Sequence, residues 1–242
     1  MITRLLISLA LLAATARAQD WYDGLCQASV DASLSFPIGG VLAKVLVSEG
    51  ESVKSGQPLL ILENDIETLE VKRQELAVEA ARKDYDRTKN AFSRGGSITQ
   101  EELDQKEAVW KISLVEKQQA EAQLKRKQLL SPTDGMVMDL FDLDRGEAIA
   151  PNTPAVRVVN TAECRFTSYV KGDTKHGCEK GKPVEIVLFT GTGEVTMSGT
   201  IEFVAAAIDA SSGLQEVRAV FANPDGKIAA GLKGKMRLKA AP

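Results

Sequence analysis

Two stretches of this chain repeat one another across a long interruption. The first reads Pro37-Ile38-Gly39-Gly40, a strand-like run from Val41 to Val47, then Gly50, Val53, Gly56 and Leu59. The second reads Pro132-Thr133-Asp134-Gly135, a strand-like run from Met136 to Leu143, then Gly146, Ile149, Asn152 and Ala155. In both, Pro and Gly stand three apart, and a turn residue, an apolar residue, a turn residue and an apolar residue then follow at intervals of three. Only the intervening run differs, by one residue. Gly56 and Asn152 occupy matching places, and Gly and Asn best tolerate positive φ. The same left-handed turn is therefore expected in both copies. Each copy ends in a short apolar strand, Leu59-Leu60-Ile61-Leu62 and Ala155-Val156-Arg157-Val158-Val159. One copy alone has too little area for a core, whereas two facing copies bury one between them.

The interruption, Asn64 to Leu130, is of another kind. It has no proline, and its only glycines are the adjacent Gly95 and Gly96. Upstream of them Ile66, Leu69, Leu76, Ala80 and Phe92 fall at helical spacings. Downstream, Leu103, Trp110, Leu114, Glu121 and Leu124 mark a face with steps of three, four and seven. Asn64 precedes Glu67 by three, and Thr99 precedes Glu102 by three, the pattern of a capping box; Ile98 and Leu103 add a hydrophobic staple. Two helices of about 30 residues, each roughly 45 Å long, are expected to meet at Gly95-Gly96 as an antiparallel hairpin. Their narrow apolar stripes suit a two-stranded coiled coil that projects into solvent.

From Arg165 the pattern turns to β. Phe166–Val170, Val184–Phe189, Thr196–Val204, Glu216–Phe221 and Lys235–Lys239 read as strands, punctuated by Gly181, Gly191, Gly193, Gly213, Asn223-Pro224-Asp225-Gly226 and Gly231. A small barrel or sandwich is expected. At the other end, Arg4, the apolar run Leu5–Ala14 and Ala16-Arg17-Ala18 have the layout of a cleaved secretory signal. The run is shorter than the ~20 residues that span a membrane. The formal net charge is −3, and removing Arg4 and Arg17 makes the mature chain more acidic. Nucleic acid is thereby excluded as a partner class, since phosphate binding needs a basic patch.

Three cysteines remain after export, none in CxxC spacing, so neither a zinc knuckle nor a thioredoxin-type site is indicated. An oxidising compartment permits disulfides. Cys164 and Cys178 flank the first barrel strand and the turn after it, and they are the candidate pair, with Cys26 left as a thiol. The alternative is that Cys178 is a small buried apolar residue.

The order of these parts resembles the membrane fusion proteins, the HlyD-type periplasmic adaptors of tripartite efflux pumps, in a short form without their membrane-proximal domain. Pro37–Leu62 and Ser131–Val159 carry the resemblance most specifically, with "GKPVEIVL" and "GLKGKMRLK" in the barrel. It implies an α+β fold: a lipoyl-like (barrel-sandwich hybrid) β domain interrupted by an antiparallel coiled-coil α-hairpin and followed by a small β-barrel. The expected division is signal peptide 1–18, N-terminal extension 19–33, lipoyl-like halves 34–63 and 131–160 around the hairpin 64–130, and barrel 161–242. The implied role is non-enzymatic and cofactor-free. The chain would bridge an inner-membrane transporter, of RND rather than ABC type, to an outer-membrane TolC-like duct. It would do so in the periplasm, as a homo-oligomeric ring for which the family implies six copies. The family's docking tip has an Arg, a Leu four later and a Ser seven after that. Arg87 matches the Arg, Ala91 stands at the Leu position beside Phe92, and Thr99 resembles the Ser. Thr99 lies twelve rather than eleven residues after Arg87, because the tip with Gly95 and Gly96 is one residue longer.

The residues admit other readings. A lipoyl or biotinyl carrier needs a Lys on the tight turn joining its halves, and the long insertion replaces that turn. A hydrolase would have to use the single histidine, His176, which sits in a polar turn without a GxSxG nucleophile elbow. Met136, Met138, Met197 and Met236 at strand-like positions leave open a metal-carrying role, though such residues more often fill cores. The charged helices alone also allow a structural coiled-coil protein not coupled to a duct.

Overall fold

A computed structural model describes residues 21–141, 143–171 and 178–239; the expected signal peptide, residues 1–18, and His176 lie outside the described residues. Strands β1 (Tyr22–Ser35), β2 (Gly40–Val45), β3 (Ser52–Val53) and β4 (Pro58–Leu62) precede helices α1 (Asp65–Ser93) and α2 (Gln100–Lys125). There follow β5 (Gln128–Leu130), β6 (Gly135–Asp139), β7 (Ala148–Ile149), β8 (Pro154–Lys171), β9 (Pro183–Thr190), β10 (Gly193–Val204), β11 (Leu214–Ala222) and β12 (Lys233–Leu238). The chain is mixed α+β and divides into two compact units. One comprises residues 28–162; the other combines the described residues up to Gln27 with those from Glu163. The boundary falls within β1 and within β8.

In the unit 28–162 the two repeat copies hold each other by exchanged hydrogen bonds. Gly50 N–H donates to the Val137 carbonyl and Gly146 N–H to the Leu42 carbonyl, both at 2.8 Å. Gly56 N–H donates to Ser131 at 2.7 Å, and Asn152 N–H to Phe36 at 2.8 Å. Each bond has its counterpart at the equivalent residues of the other copy. The pairings match as well: β3 runs antiparallel to β6, and β2 to β7. The left-handed turns are where the repeat places them, with φ of 80° at Gly56 and 59° at Asn152. One core fills the space between the copies, with Phe36, Leu42, Leu59, Leu60 and Leu62 from the first against Val137, Val156 and Val158 from the second. Burying each such side chain is worth about 1.5–3 kcal/mol, which neither copy could secure alone.

Helices α1 and α2, inserted between the copies, pack along their length. Their cross-contacts pair rising numbers on α1 with falling numbers on α2 and the residues just after it: Glu67 with Lys127, Glu75 with Lys117 and Asp84 with Lys106. They therefore run antiparallel. Tyr85 stacks on Trp110 with ring centroids 5.4 Å apart. On α2 four residues of the expected face, Leu103, Trp110, Leu114 and Leu124, are half-buried beside the buried Ser113 and Ala120, whereas the fifth, Glu121, is exposed and pairs with Lys117. On α1 the expected face is corrected: Ile66 is 80% exposed, Leu69 69% and Leu76 57%. The contact stripe is instead Val71, Val78 and Tyr85, interleaved with Gln74, Ala81 and the buried Thr88. Asn64 is the N-cap residue of α1, yet its side chain makes no capping bond; Glu67 is tied instead to Lys127 at 3.2 Å.

The second unit is a closed six-stranded barrel in the order β1–β12–β9–β10–β11–β8, with β8 returning to β1. The five strands expected from sequence fall on β8 to β12. The sixth comes from the stretch expected to be an N-terminal extension, because Tyr22–Leu25 pair antiparallel with Lys233–Met236. The barrel core includes Cys26, Cys164, Phe166, Ile186, Leu188, Ile201, Phe221 and Met236.

Candidate functional site

The helix tip is built by two glycines. Gly95 N–H donates to the Phe92 carbonyl at 3.1 Å and Gly96 N–H to the Ala91 carbonyl at 3.0 Å, the paired bonds of a Schellman ending. Gly95 takes φ of 75° to close them. Gly96 is constrained separately, since a Cβ there would lie 2.8 Å from the Ala91 carbonyl oxygen. After this turn Thr99 caps α2, its hydroxyl accepting from Glu102 N–H at 3.2 Å. Its hydroxyl is thus already engaged within the tip.

Arg87 projects from the last two turns of α1, with its side chain 79% exposed. Its contact with Asp84 is loose, at 3.8 Å. Asp84 is held instead by Lys106 of the facing helix at 2.7 Å. That hydrogen bond holds the Asp84 carboxyl below the usual carboxylate range and raises the Lys106 ammonium. A surface contact like that of Arg87 contributes ~0–1 kcal/mol, so its guanidinium fork remains available for a planar acceptor. Phe92 in the last turn of α1 is 37% exposed, and Ala91 is half-buried. The structure therefore brings Arg87, Ala91, Phe92, Gly95, Gly96 and Thr99 together at one end of the helix pair. Sequence reasoning missed Lys106, which occupies Asp84; its spacing from Asp84 carries no signal until the two helices are laid side by side.

The cysteines lie in the barrel unit. The pair expected from sequence, Cys164 with Cys178, has a rival, because the Cys164 sulfur is hydrogen-bonded to the Cys26 thiol. It also receives the Asn223 amide at 3.8 Å. Cys178 is buried at the edge of the same core, and that burial raises its thiol pKa.

Among the described residues no helix is long and apolar enough to cross a membrane. No family model matches the chain. It is 25% identical over 216 residues to an uncharacterized protein of Haemophilus influenzae, covering 89% of this chain and 56% of that protein. The chain thus spans little more than half the length of this relative. A MacA–MexA chimeric protein containing the Pseudomonas aeruginosa MexA α-hairpin domain superposes with a TM-score of 0.74 at 16% identity, covering 92% of this chain and 79% of the chimera. The membrane fusion protein Spr0693 of Streptococcus pneumoniae gives 0.67 at 16% identity over 92% of this chain and 100% of its own. MacA from Actinobacillus actinomycetemcomitans gives 0.66 at 16% identity, over 92% and 78%. The interlocked repeat, the helix pair inserted between its copies and the six-stranded barrel together are the fold of the membrane fusion proteins.

Proposed function

We propose that this chain is a periplasmic adaptor of a tripartite efflux system, joining an inner-membrane transporter, of RND type, to a TolC-like outer-membrane duct. The observation that carries the reading is the placement of the helix pair. It leaves one folded β unit from between two interlocked copies, so its tip is the only end of the hairpin free of that unit. The repeat then serves as a lipoyl-like platform, and the helices as a coiled-coil arm that reaches toward the duct. Exposed Ile66, Leu69 and Leu76 on α1, with Val109, Ile112 and Val115 on α2, supply apolar flanks for neighbouring arms, which favours a ring of copies. The work is assembly and needs neither catalytic group nor cofactor.

Arg87 is the docking residue in this reading, with Phe92 in the last turn of α1 as the apolar contact. Arg87→Ala removes a loose surface contact, so thermal unfolding should shift by no more than ~1 kcal/mol. Efflux complementation and in-cell crosslinks from the tip to an outer-membrane duct should be lost. Wild-type export by Arg87→Ala protein at equal abundance would show that docking does not use this residue. Mass spectrometry of the partners crosslinked at the barrel tests the transporter class.

A further inference from the structure

Cys26 on β1 and Cys164 on β8 are both fully buried in the barrel core. β1 and β8 are neighbouring strands, and two contacts fix how they face each other. The Ser168 hydroxyl donates to the Asp23 carbonyl at 2.7 Å, and the Ser29 hydroxyl donates to the Asn160 carbonyl at 3.1 Å. Across an antiparallel ladder, numbers rise on one strand as they fall on the other. Cys26 lies midway between Asp23 and Ser29, and Cys164 midway between Ser168 and Asn160. The two cysteines are therefore opposite one another.

The main chain adds a second constraint. Cys26 N–H donates to the Leu232 carbonyl, and the Cys26 carbonyl accepts from Gly231 N–H, both at 2.8 Å. Both main-chain groups of Cys26 thus point away from β8. Toward β8 the residue presents a non-hydrogen-bonded position, where facing Cα atoms approach to about 4.5 Å and side chains come closest. A disulfide needs Cα atoms about 4.4–6.8 Å apart.

We propose that Cys26 and Cys164 form a disulfide in the mature protein, tying β1 to β8 in the barrel wall. The proposal rests on the exported location argued above, because the oxidant is the disulfide of a thiol–disulfide oxidoreductase in that compartment. Either cysteine can react first while both are accessible; with Cys164 leading, its thiol gives up its proton. The Cys164 thiolate attacks one sulfur of the oxidant, whose second sulfur leaves as a thiolate. Cys26 then gives up its proton and attacks Cys164, releasing the first sulfur. Two electrons and two protons pass to the oxidant. Both sulfurs end fully buried, so the exchange takes place before the barrel closes over them. The bond joins the two strands through which the chain enters and leaves residues 28–162, and so keeps the barrel shut at that point.

The test is oxidative refolding of the mature protein in a glutathione redox buffer, followed by alkylation under denaturing conditions and peptide mapping. The expected result is alkylation of Cys178 alone and a crosslinked peptide pair containing Cys26 and Cys164. A bond that includes Cys178, or three alkylated cysteines, overturns the proposal. The same mapping on protein acid-quenched directly from cells separates the pair from the compartment. A Cys26–Cys164 bond after refolding, with three thiols in cells, upholds the pairing chemistry and counts against export.

Discussion

Gly95 and Gly96 stand side by side for different reasons, and the difference is measurable. Gly95 needs the left-handed backbone region, at φ of 75°, with nothing near its missing Cβ. Gly96 lies outside that region but has the Ala91 carbonyl where a Cβ would go. Asn tolerates the left-handed region and β-branched residues do not. Gly95→Asn should therefore be nearly neutral, while Gly95→Val should cost about 1–2 kcal/mol. Gly96→Asn gains nothing from backbone tolerance and should disturb the turn. Hydrogen exchange of the amides from Ala91 to Glu102 would read these local effects; equal protection in all three variants would refute the distinction. Adjacent glycines in a proline-free stretch made the turn legible in the sequence. Which of the two meets a carbonyl was not legible, because that contact depends on how the helix end curls back. Asn152 is the companion case. Its φ of 59° was readable from its match to Gly56 in the repeat, since a repeated turn has to be closed by residues with a shared conformational tolerance.

At the scale of elements, the two helices differ in how openly they announce their contact face. On α2 the half-buried Leu103, Trp110, Leu114 and Leu124 line the contact face, while Val109, Ile112 and Val115 are exposed. On α1 the largest apolar residues, Ile66, Leu69 and Leu76, point away, and the contact stripe of Val71, Val78 and Tyr85 is diluted by Gln74, Ala81 and Thr88. Hydrophobicity alone selects the wrong face there, because the largest apolar side chains of α1 are the exposed ones. Substitutions separate the two. Tyr85→Ala removes the stack on Trp110 and should lower stability by about 1–3 kcal/mol, seen as an earlier helical melt by far-UV circular dichroism. Leu69→Ser should shift that melt by less than about 0.5 kcal/mol. If the exposed residues contact neighbouring copies, Leu69→Ser combined with Ile112→Ser should lower self-association in sedimentation velocity without changing the melt. An unchanged sedimentation profile would remove the apolar flanks from the ring. β1 went unread for a related reason. Tyr22, Cys26, Val30 and Leu34 alternate with outward Asp23, Gln27, Asp31 and Ser33, the period of a strand. Gly24, Ala28 and Ala32 fill the other inward places, and such small side chains give alternation little hydrophobic contrast.

For the whole molecule, the described carboxylates with a resolved shift all move the same way. Asp31, Glu70, Glu79, Asp84 and Asp209 are each held below their ordinary range, and Asp209, bonded by the hydroxyls and amides of Ser211 and Ser212, falls to about 2. A depressed carboxylate stays ionised in the fold after its unfolded counterpart has taken up a proton. The unfolded chain then binds more protons, and stability falls as the pH drops. Above the ordinary value of 3.8 for aspartate the contribution is fully present, and it is lost as the pH falls through the folded value. Stability should therefore be level from pH 7 to about 5 and decline below about 4. Asp31 is the carboxylate to isolate, because Arg157 grips it with two bonds, of 2.8 and 2.6 Å, between β1 and β8. Both side chains are 46% exposed, so water screens the pair and its contribution should stay below about 1 kcal/mol. Asp31→Asn removes the titrating group while keeping its shape. Urea midpoints at pH 7, 4 and 2.5 should show a small loss at pH 7 and a shallower acid decline than in the unaltered chain, and 0.5 M salt should narrow the gap between the two proteins. An acid decline of identical steepness in both would place the pH dependence in Glu70, Glu79, Asp84 and Asp209, and the β1–β8 pair would then contribute position without measurable stability.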